Sequence, residues 1–281
     1  MAQTATTGNL AEAQRIVLEQ ARFTAEHNAP MLQLVEHFRL GKGEKSITVP
    51  KVGQFTAVAV GDGVDIVDEQ DIGMTTVSLT TSEVGMKIIL TDKLVRQLNE
   101  DTFRMVGKQA GDAMGRKKDR DLIALFPALN GATDLGAASR LLNLGNLAVL
   151  IGWAMANKLP KPYQVVAHPW AVTSLGMSLT GTALGTSVLG AAGAGAVASE
   201  ALKDFYANTI SGMPVYHDGN IDIDGSGDAI GAIFSKLALA YAESVNYNQE
   251  TERDASLRGT ELVWTSDYGV FELDDGYGAA M

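Results

Sequence analysis

The chain has 281 residues, no cysteine, and 33 acidic against 22 basic side chains, a formal net charge of −11. Disulfides, thiolate catalysis and cysteine-ligated zinc are excluded together, and general phosphate binding, which needs clustered Lys and Arg, is disfavoured. With 46% hydrophobic and 20% charged residues the composition is that of a folded chain long enough for one large domain or two modest ones.

Residues 1–9 carry neither a basic n-region nor an apolar h-region, so no secretory signal is expected there. Asn9-Leu-Ala-Glu12 has the form of a capping box and predicts a helix running to about His27, before Asn28-Ala-Pro30. A second short helical stretch is expected from Met31 to Leu40, ending at Gly41-Lys-Gly43. Ile47–Pro50 and Phe55–Val60 read as outgoing strands, with Thr75–Thr81 and Val84–Leu90 as the return. Pro50 confines its strand to an edge or bend. The tip between them, residues 61–73, is acidic and glycine-punctuated. So long a hairpin holds too little apolar material for a core of its own, and it is expected to protrude and lie on a neighbouring subunit.

Thr91-Asp92 then caps a helix expected to run to Phe126, about 50 Å long. Gly107, Gly111 and Gly115 recur on one face of it, a pattern that suggests another backbone crossing at close range. Arg116-Lys-Lys-Asp-Arg-Asp121 reads as a solvated face or an inter-subunit salt-bridge site. Further on, Arg140–Lys158 is expected as a mostly buried helix and Tyr163–His168 as a core strand. Pro169 opens another helix in the favoured first-turn position. Residues 169–199 are uncharged and long enough for a bilayer, but their Gly, Ala, Ser and Thr content reads as a loop with flanking helices, not a membrane span. A helix around Ser199–Tyr206 follows, then strands at Ile210–Tyr216, Ala229–Ala242, Glu261–Thr265 and Gly269–Leu273. Helices and strands interleave with hairpins near both ends, which makes the fold class α+β.

No assembled active site is legible. Gly193-Ala-Gly195-Ala-Val-Ala198 matches a dinucleotide fingerprint formally, but no strand immediately precedes it and its Gly/Ala-rich setting generates such matches by composition. Asn220-Ile-Asp222-Ile-Asp224-Gly225 resembles the start of a calcium loop, yet the twelfth position is Gly231 where a bidentate Glu is required, so a surface turn is expected. His27, His37, His168 and His217 are scattered without metal spacing, and neither a nucleophile elbow nor a phosphate loop occurs. No catalytic, cofactor-binding or metal-ligating residues are assigned, and the chain is read as a non-enzyme.

Several segments, taken in order, carry a resemblance. Ile47-Thr-Val-Pro50, Phe55–Val60 and the Gly/Asp-rich tip are followed by Ile88-Ile-Leu-Thr-Asp92 entering the long helix. Then come Tyr163-Gln-Val-Val-Ala-His-Pro169, Gly212-Met-Pro-Val-Tyr216, and Glu243–Glu250 through Gly269-Val-Phe271. In that order and spacing the chain resembles a major capsid protein of tailed bacteriophages, of the Hong-Kong-97-type fold. The resemblance implies an N-terminal arm (1–40), an extended loop (41–90), a peripheral domain with a spine helix (91–137 and 232–281) and an axial domain (138–231). It implies pentamers and hexamers closing an icosahedral shell around double-stranded DNA without sequence-specific binding, a virion location after assembly in the host cytoplasm, and no membrane partner. Only about forty residues precede the hairpin, so a separate scaffolding protein or a prior cleavage is expected, with a portal as a further partner. Some relatives join a loop lysine to a neighbour's asparagine; Lys42, Lys45 or Lys51 with Asn246 or Asn248 would stand in those roles, but no catalytic glutamate is placeable. An encapsulin-like nanocompartment shell is the alternative, and an NAD-dependent enzyme using the Gly193 segment a third reading.

Overall fold

The computed structural model describes residues 29–52, 55–57, 59–60, 62, 71–97, 102–137, 139–181, 207–210 and 213–281. The helix expected over residues 9–27, the Gly193 segment, the helix expected at Ser199–Tyr206 and most of the hairpin tip lie outside them.

The architecture is α+β, with three sheets. The first has four strands in the order β1-β9-β10-β4: β1 (Glu36–Arg39), β4 (Ser82–Thr91), β9 (Leu239–Asp254) and β10 (Gly259–Glu272). The second has five, in the order β11-β8-β5-β7-β6: β5 (Tyr163–Ala167), β6 (Ala207–Ile210), β7 (Met213–His217), β8 (Ala232–Ser235) and β11 (Gly278–Ala280). The third is a two-stranded ribbon of β2 (Ser46–Lys51) and β3 (Thr75–Thr80). The described helices include α1 (Met31–Leu34), α2 (Asp92–Gln97), α3 (Thr102–Ile123), α4 (Leu144–Ala156) and α5 (Pro169–Gly181).

Several boundaries differ from the sequence reading. Met31–Leu40 is not one helix: α1 ends at Leu34, and β1 pairs in parallel with Ala240–Glu243. Ladder bonds to β9 outweigh the weak helical preference of so short a piece, and the Leu40 N–H extends them by donating to the Glu243 carbonyl at 2.8 Å. The return of the hairpin is divided. β3 pairs with β2, whereas β4 leaves the ribbon to pair with β10 along Gly259–Tyr268. The described residues of Phe55–Val60 form no strand.

Thr91 caps the helix after β4, its Oγ1 accepting from the Leu94 N–H at 3.4 Å. Helix α3 spans 22 residues, about 33 Å, and stops before Pro127, which lacks an N–H and disfavours helix in the residue before it. A Cβ added at Gly107, Gly111 or Gly115 would meet open space, so among the described residues no backbone crosses that stripe. Helix α4 is capped by Asn143, whose side chain accepts from the Asn146 N–H, and it is amphipathic instead of mostly buried. Leu147, Leu150, Ile151 and Ala154 face inward while Val149 and Met155 face out.

The expected strand Ala229–Ala242 is interrupted by a turn in which the Ala238 N–H donates to the Ser235 carbonyl, separating β8 from β9. The two expected terminal strands are one. β10 carries a bulge between Thr265 and Tyr268, and the polar Ser266-Asp267 pair that separates the two expected strands sits within that irregularity. Strand β5 is buried at every position, as a strand covered on both faces requires.

The core has several parts. The largest cluster joins Met31, Leu34 and Val35 to Leu122, Phe126 and Leu129, and to Phe234, Leu239, Tyr241 and Tyr268. A second lies between α4, α5 and the five-stranded sheet, around Leu147, Leu150, Val165, Leu175, Val215 and Ile233. A third gathers Leu90, Leu94, Ala110 and Leu262 around the fully buried Trp264.

Glycines give two opposite tests of this packing. A Cβ at Gly269 would lie 2.3 Å from the Thr80 carbonyl oxygen and 2.7 Å from the Phe271 ring, because the end of the ribbon crosses β10 there. Gly269→Ala is therefore expected to destabilise the fold by roughly 1–3 kcal/mol in denaturant unfolding. Gly111→Ala, in open helix, is expected to stabilise it by about 1 kcal/mol.

Candidate functional site

Two features stand out: an apolar surface at the end of the ribbon, and a polar junction buried beneath the long helix.

The ribbon follows the two-residue period of a half-buried sheet. Its register sets Ile47 opposite Leu79 and Val49 opposite Val77 on one face. That face packs against Leu40, Ala240, Ala242, Phe271 and Leu273 of the same chain. The expectation that the hairpin finds no core in its own chain is corrected for its base. Ser46, Thr48, Thr76 and Ser78 occupy the outer face and are exposed. Lys51 pairs with Asp274 at 2.6 Å, and Thr81 Oγ1 donates to Asp267 at 3.0 Å. Beyond the ribbon the pattern changes: Val52, Phe55, Val60, Ile72 and Met74 are each about half exposed or more, with Phe55 and Met74 at 60%. These apolar side chains sit past the last paired residues of the ribbon, and none of the buried clusters of the described residues includes them.

The polar junction arises from the charge run at 116–121, and the reading of that run as a solvated or inter-subunit face is corrected. Lys118 and Asp119 are 7% and 0% exposed. Asp119 accepts from the Met31 N–H at 3.1 Å with one oxygen and from Asn220 Nδ2 at 2.8 Å with the other. The Asn220 N–H in turn donates to Asp218 Oδ1 at 2.8 Å, and Asp218 is also fully buried. Lys118 Nζ donates to the Asn246 carbonyl at 3.2 Å and to Asn246 Oδ1 at 2.9 Å. It lies 5.6 and 5.3 Å from the ring centroids of Tyr241 and Tyr268, within cation–π range. Burial holds its ammonium below the usual lysine range, with Glu243 opposing that shift. Tyr268 donates to Asp121 at 2.7 Å, and burial pushes both phenols up. Arg120 and Lys117 point outward, to Asp222 and Asp121. The helix end thus carries its charges on two faces, and only the outer one meets water.

The other singled-out residues fall as follows. Asp224 Oδ1 accepts from the Ser226 and Asp228 N–H groups at 2.8 Å each, a surface turn closed by the Ile223–Ala229 bridge. His37 Nε2 bonds the Leu32 carbonyl, His168 Nδ1 accepts from the Trp170 N–H at 3.2 Å, and His217 ends β7. Among the described residues no three His, Asp or Glu gather as metal ligands. No described helix is long and apolar enough to cross a membrane. Lys51 is held by Asp274, Asn246 by Lys118, and Asn248 Nδ2 donates to Glu250 at 3.2 Å. The junction was missed in the sequence because an alternating charge run on a helix has the composition of a solvated face. Its one sequence signal is Tyr241 and Tyr268, whose polar tips need buried partners.

Asp119→Ala is expected to strand two buried donors and cost about 2–4 kcal/mol, read as a lowered urea midpoint. Asp222→Ala, at an 80% exposed side chain, is expected to leave that midpoint unchanged.

No family model matches the sequence, and no curated protein matches it. Solved structures do match. A Mycobacterium phage Che8 chain superposes with a TM-score of 0.68 at 15% identity, covering 92% of each chain. A chain of the capsid of cyanophage P-SCSP1u gives 0.66 at 14% identity, covering 93% of this chain and 90% of that one. A chain of the holo-SrpI encapsulin complex from Synechococcus elongatus gives 0.65 at 13% identity, covering 100% and 95%. Over nearly its whole length, the chain has the Hong-Kong-97-type fold shared by phage capsid and encapsulin subunits.

Proposed function

We propose that this chain is a major capsid protein, self-assembling into pentamers and hexamers that close an icosahedral head around double-stranded DNA. The observation that supports this most directly is the likeness to phage capsid chains over more than nine-tenths of both partners. The exposed apolar residues past the ribbon give the likeness a physical role. Burying Phe55, Met74, Ile72, Val52 and Val60 on a second copy would remove from water the apolar side chains that the single chain leaves out. Repeated at every subunit, such contacts accumulate into shell strength without covalent bonds. A net charge of −11 suits a wall that encloses a polyanion without adhering to it.

In this reading residues 1–40 are the arm, 41–90 the extended loop, 91–137 with 232–281 the peripheral domain and 138–231 the axial domain. The axial sheet borrows β8 and β11 from the last segment. Its role is structural, its place the virion after assembly in the host cytoplasm, and its partners a scaffolding protein and a portal. The match to the encapsulin subunit supports a nanocompartment shell as the second reading. Co-purifying cargo separates the two, packaged DNA favouring the phage head and an enclosed enzyme the compartment.

Electron microscopy of the expressed protein, alone and with its scaffolding protein, is expected to show capsomers or closed shells of uniform size. A stable 29.7 kDa monomer at high concentration under both conditions would overturn the proposal. Replacing Phe55 and Met74 by Asp together is expected to leave the far-UV spectrum unchanged and to abolish assembly in sedimentation velocity.

A further inference from the structure

We propose that Asp119 and Asp218 hold one proton between them. This shared proton is a latch fastening the segment that begins at Met31 to the end of α3 and to the loop after β7. Both carboxyl groups are fully buried, and Asn220 bridges them, its N–H on Asp218 and its side-chain amide on Asp119. Asp119 accepts one N–H at each oxygen, which favours its charged form and leaves a second lone pair on each oxygen for a further donor. Asp218 Oδ2 has no donor from any described N–H or hydroxyl group. A proton on that oxygen satisfies it by donation to Asp119, and removes one of two negative charges that would otherwise face each other out of water.

Three charged groups of α3 close to the pair have partners of their own. On α3, Lys118 turns to Asn246, Arg120 to Asp222, and Asp121 accepts from Tyr268. From α1 the junction receives only the Met31 N–H. On the loop, His217 precedes Asp218 and Asn220 follows it. The Asp218 carboxyl is pushed up to about 8 by burial and by Asp119, against the Asn220 N–H. A carboxyl raised in the folded state contributes stability that is complete below about pH 4. That contribution declines as the pH rises, and is gone above about pH 8. Alkali therefore opens the latch, and Asp218→Asn, which donates an amide proton to Asp119 at every pH, keeps it closed.

Infrared difference spectra of the wild-type protein across pH 6–10 test this directly. A buried carboxylic acid band is expected at neutral pH, vanishing with a midpoint near 8. It should be absent in Asp218→Asn and retained in Glu272→Gln, the control for the other raised carboxyl in the chain. Hydrogen exchange at the Met31 amide is expected to match between wild type and Asp218→Asn at neutral pH. At about pH 9 it should be about tenfold faster in the wild type. Absence of the acid band, its survival in Asp218→Asn, or parallel Met31 exchange at both pH values would overturn the latch. None of these readouts depends on shell assembly, so the inference and the capsid reading fail separately.

Discussion

The structure depends on the inner face of the last two turns of α3, with Lys118 and Asp119, being buried. Lys118 and Asp119 are adjacent in sequence and so diverge by about 100° around the helix. Lys118 reaches β9 and the stacked Tyr241–Tyr268 pair of the four-stranded sheet, while Asp119 reaches Met31 and the Asn220 loop beyond the five-stranded one. Burial of an ion is tolerated only where hydrogen bonds replace water, and each of these has at least two. A polar joint of this kind fixes geometry more strictly than an apolar one. Leucines tolerate a small rotation of the helix, whereas carboxylate and ammonium bonds lose most of their energy within a fraction of an ångström.

That joint fixes the body from which the ribbon projects. The base of the ribbon rests on β10 so tightly that Gly269 is required, and its inner face shares a small cluster with β9. Past Lys51 and before Thr75 the described apolar side chains Val52, Phe55, Val60, Ile72 and Met74 are exposed. The rigid base sets the direction of the projection, and exposed apolar material at its far end supplies the adhesion. Either feature alone would have a bland meaning; together they describe a lever with a sticky end.

Much of this was legible in the sequence, and the errors have physical sources. β5, the proline that opens α5, and the ribbon strands were readable because burial on both faces, fixed φ and period-two alternation act locally. The order of segments carried the fold. Met31–Leu40 was misread because β1 exists only through its pairing with Ala240–Glu243, a partner two hundred residues away. β10 was read as two strands because Ser266 between them donates to the Val245 carbonyl at 3.2 Å across the bulge, a partner that no local pattern encodes. The junction was hidden for the same reason, since Lys118 and Asp119 owe their burial wholly to distant residues.

The glycine stripe of α3 carries the argument one step further. Gly107, Gly111 and Gly115 each lower helix stability by about 1 kcal/mol relative to Ala, and no atom of the described residues occupies the space their missing side chains leave. The same helix is held without slack at its far end by Lys118 and Asp119, so the stripe is not a hinge tolerated in a loose element. A fixed helix with an uncovered smooth face, and a ribbon with an uncovered apolar end, are complementary deficits. In a shell of identical subunits each can be met by another copy.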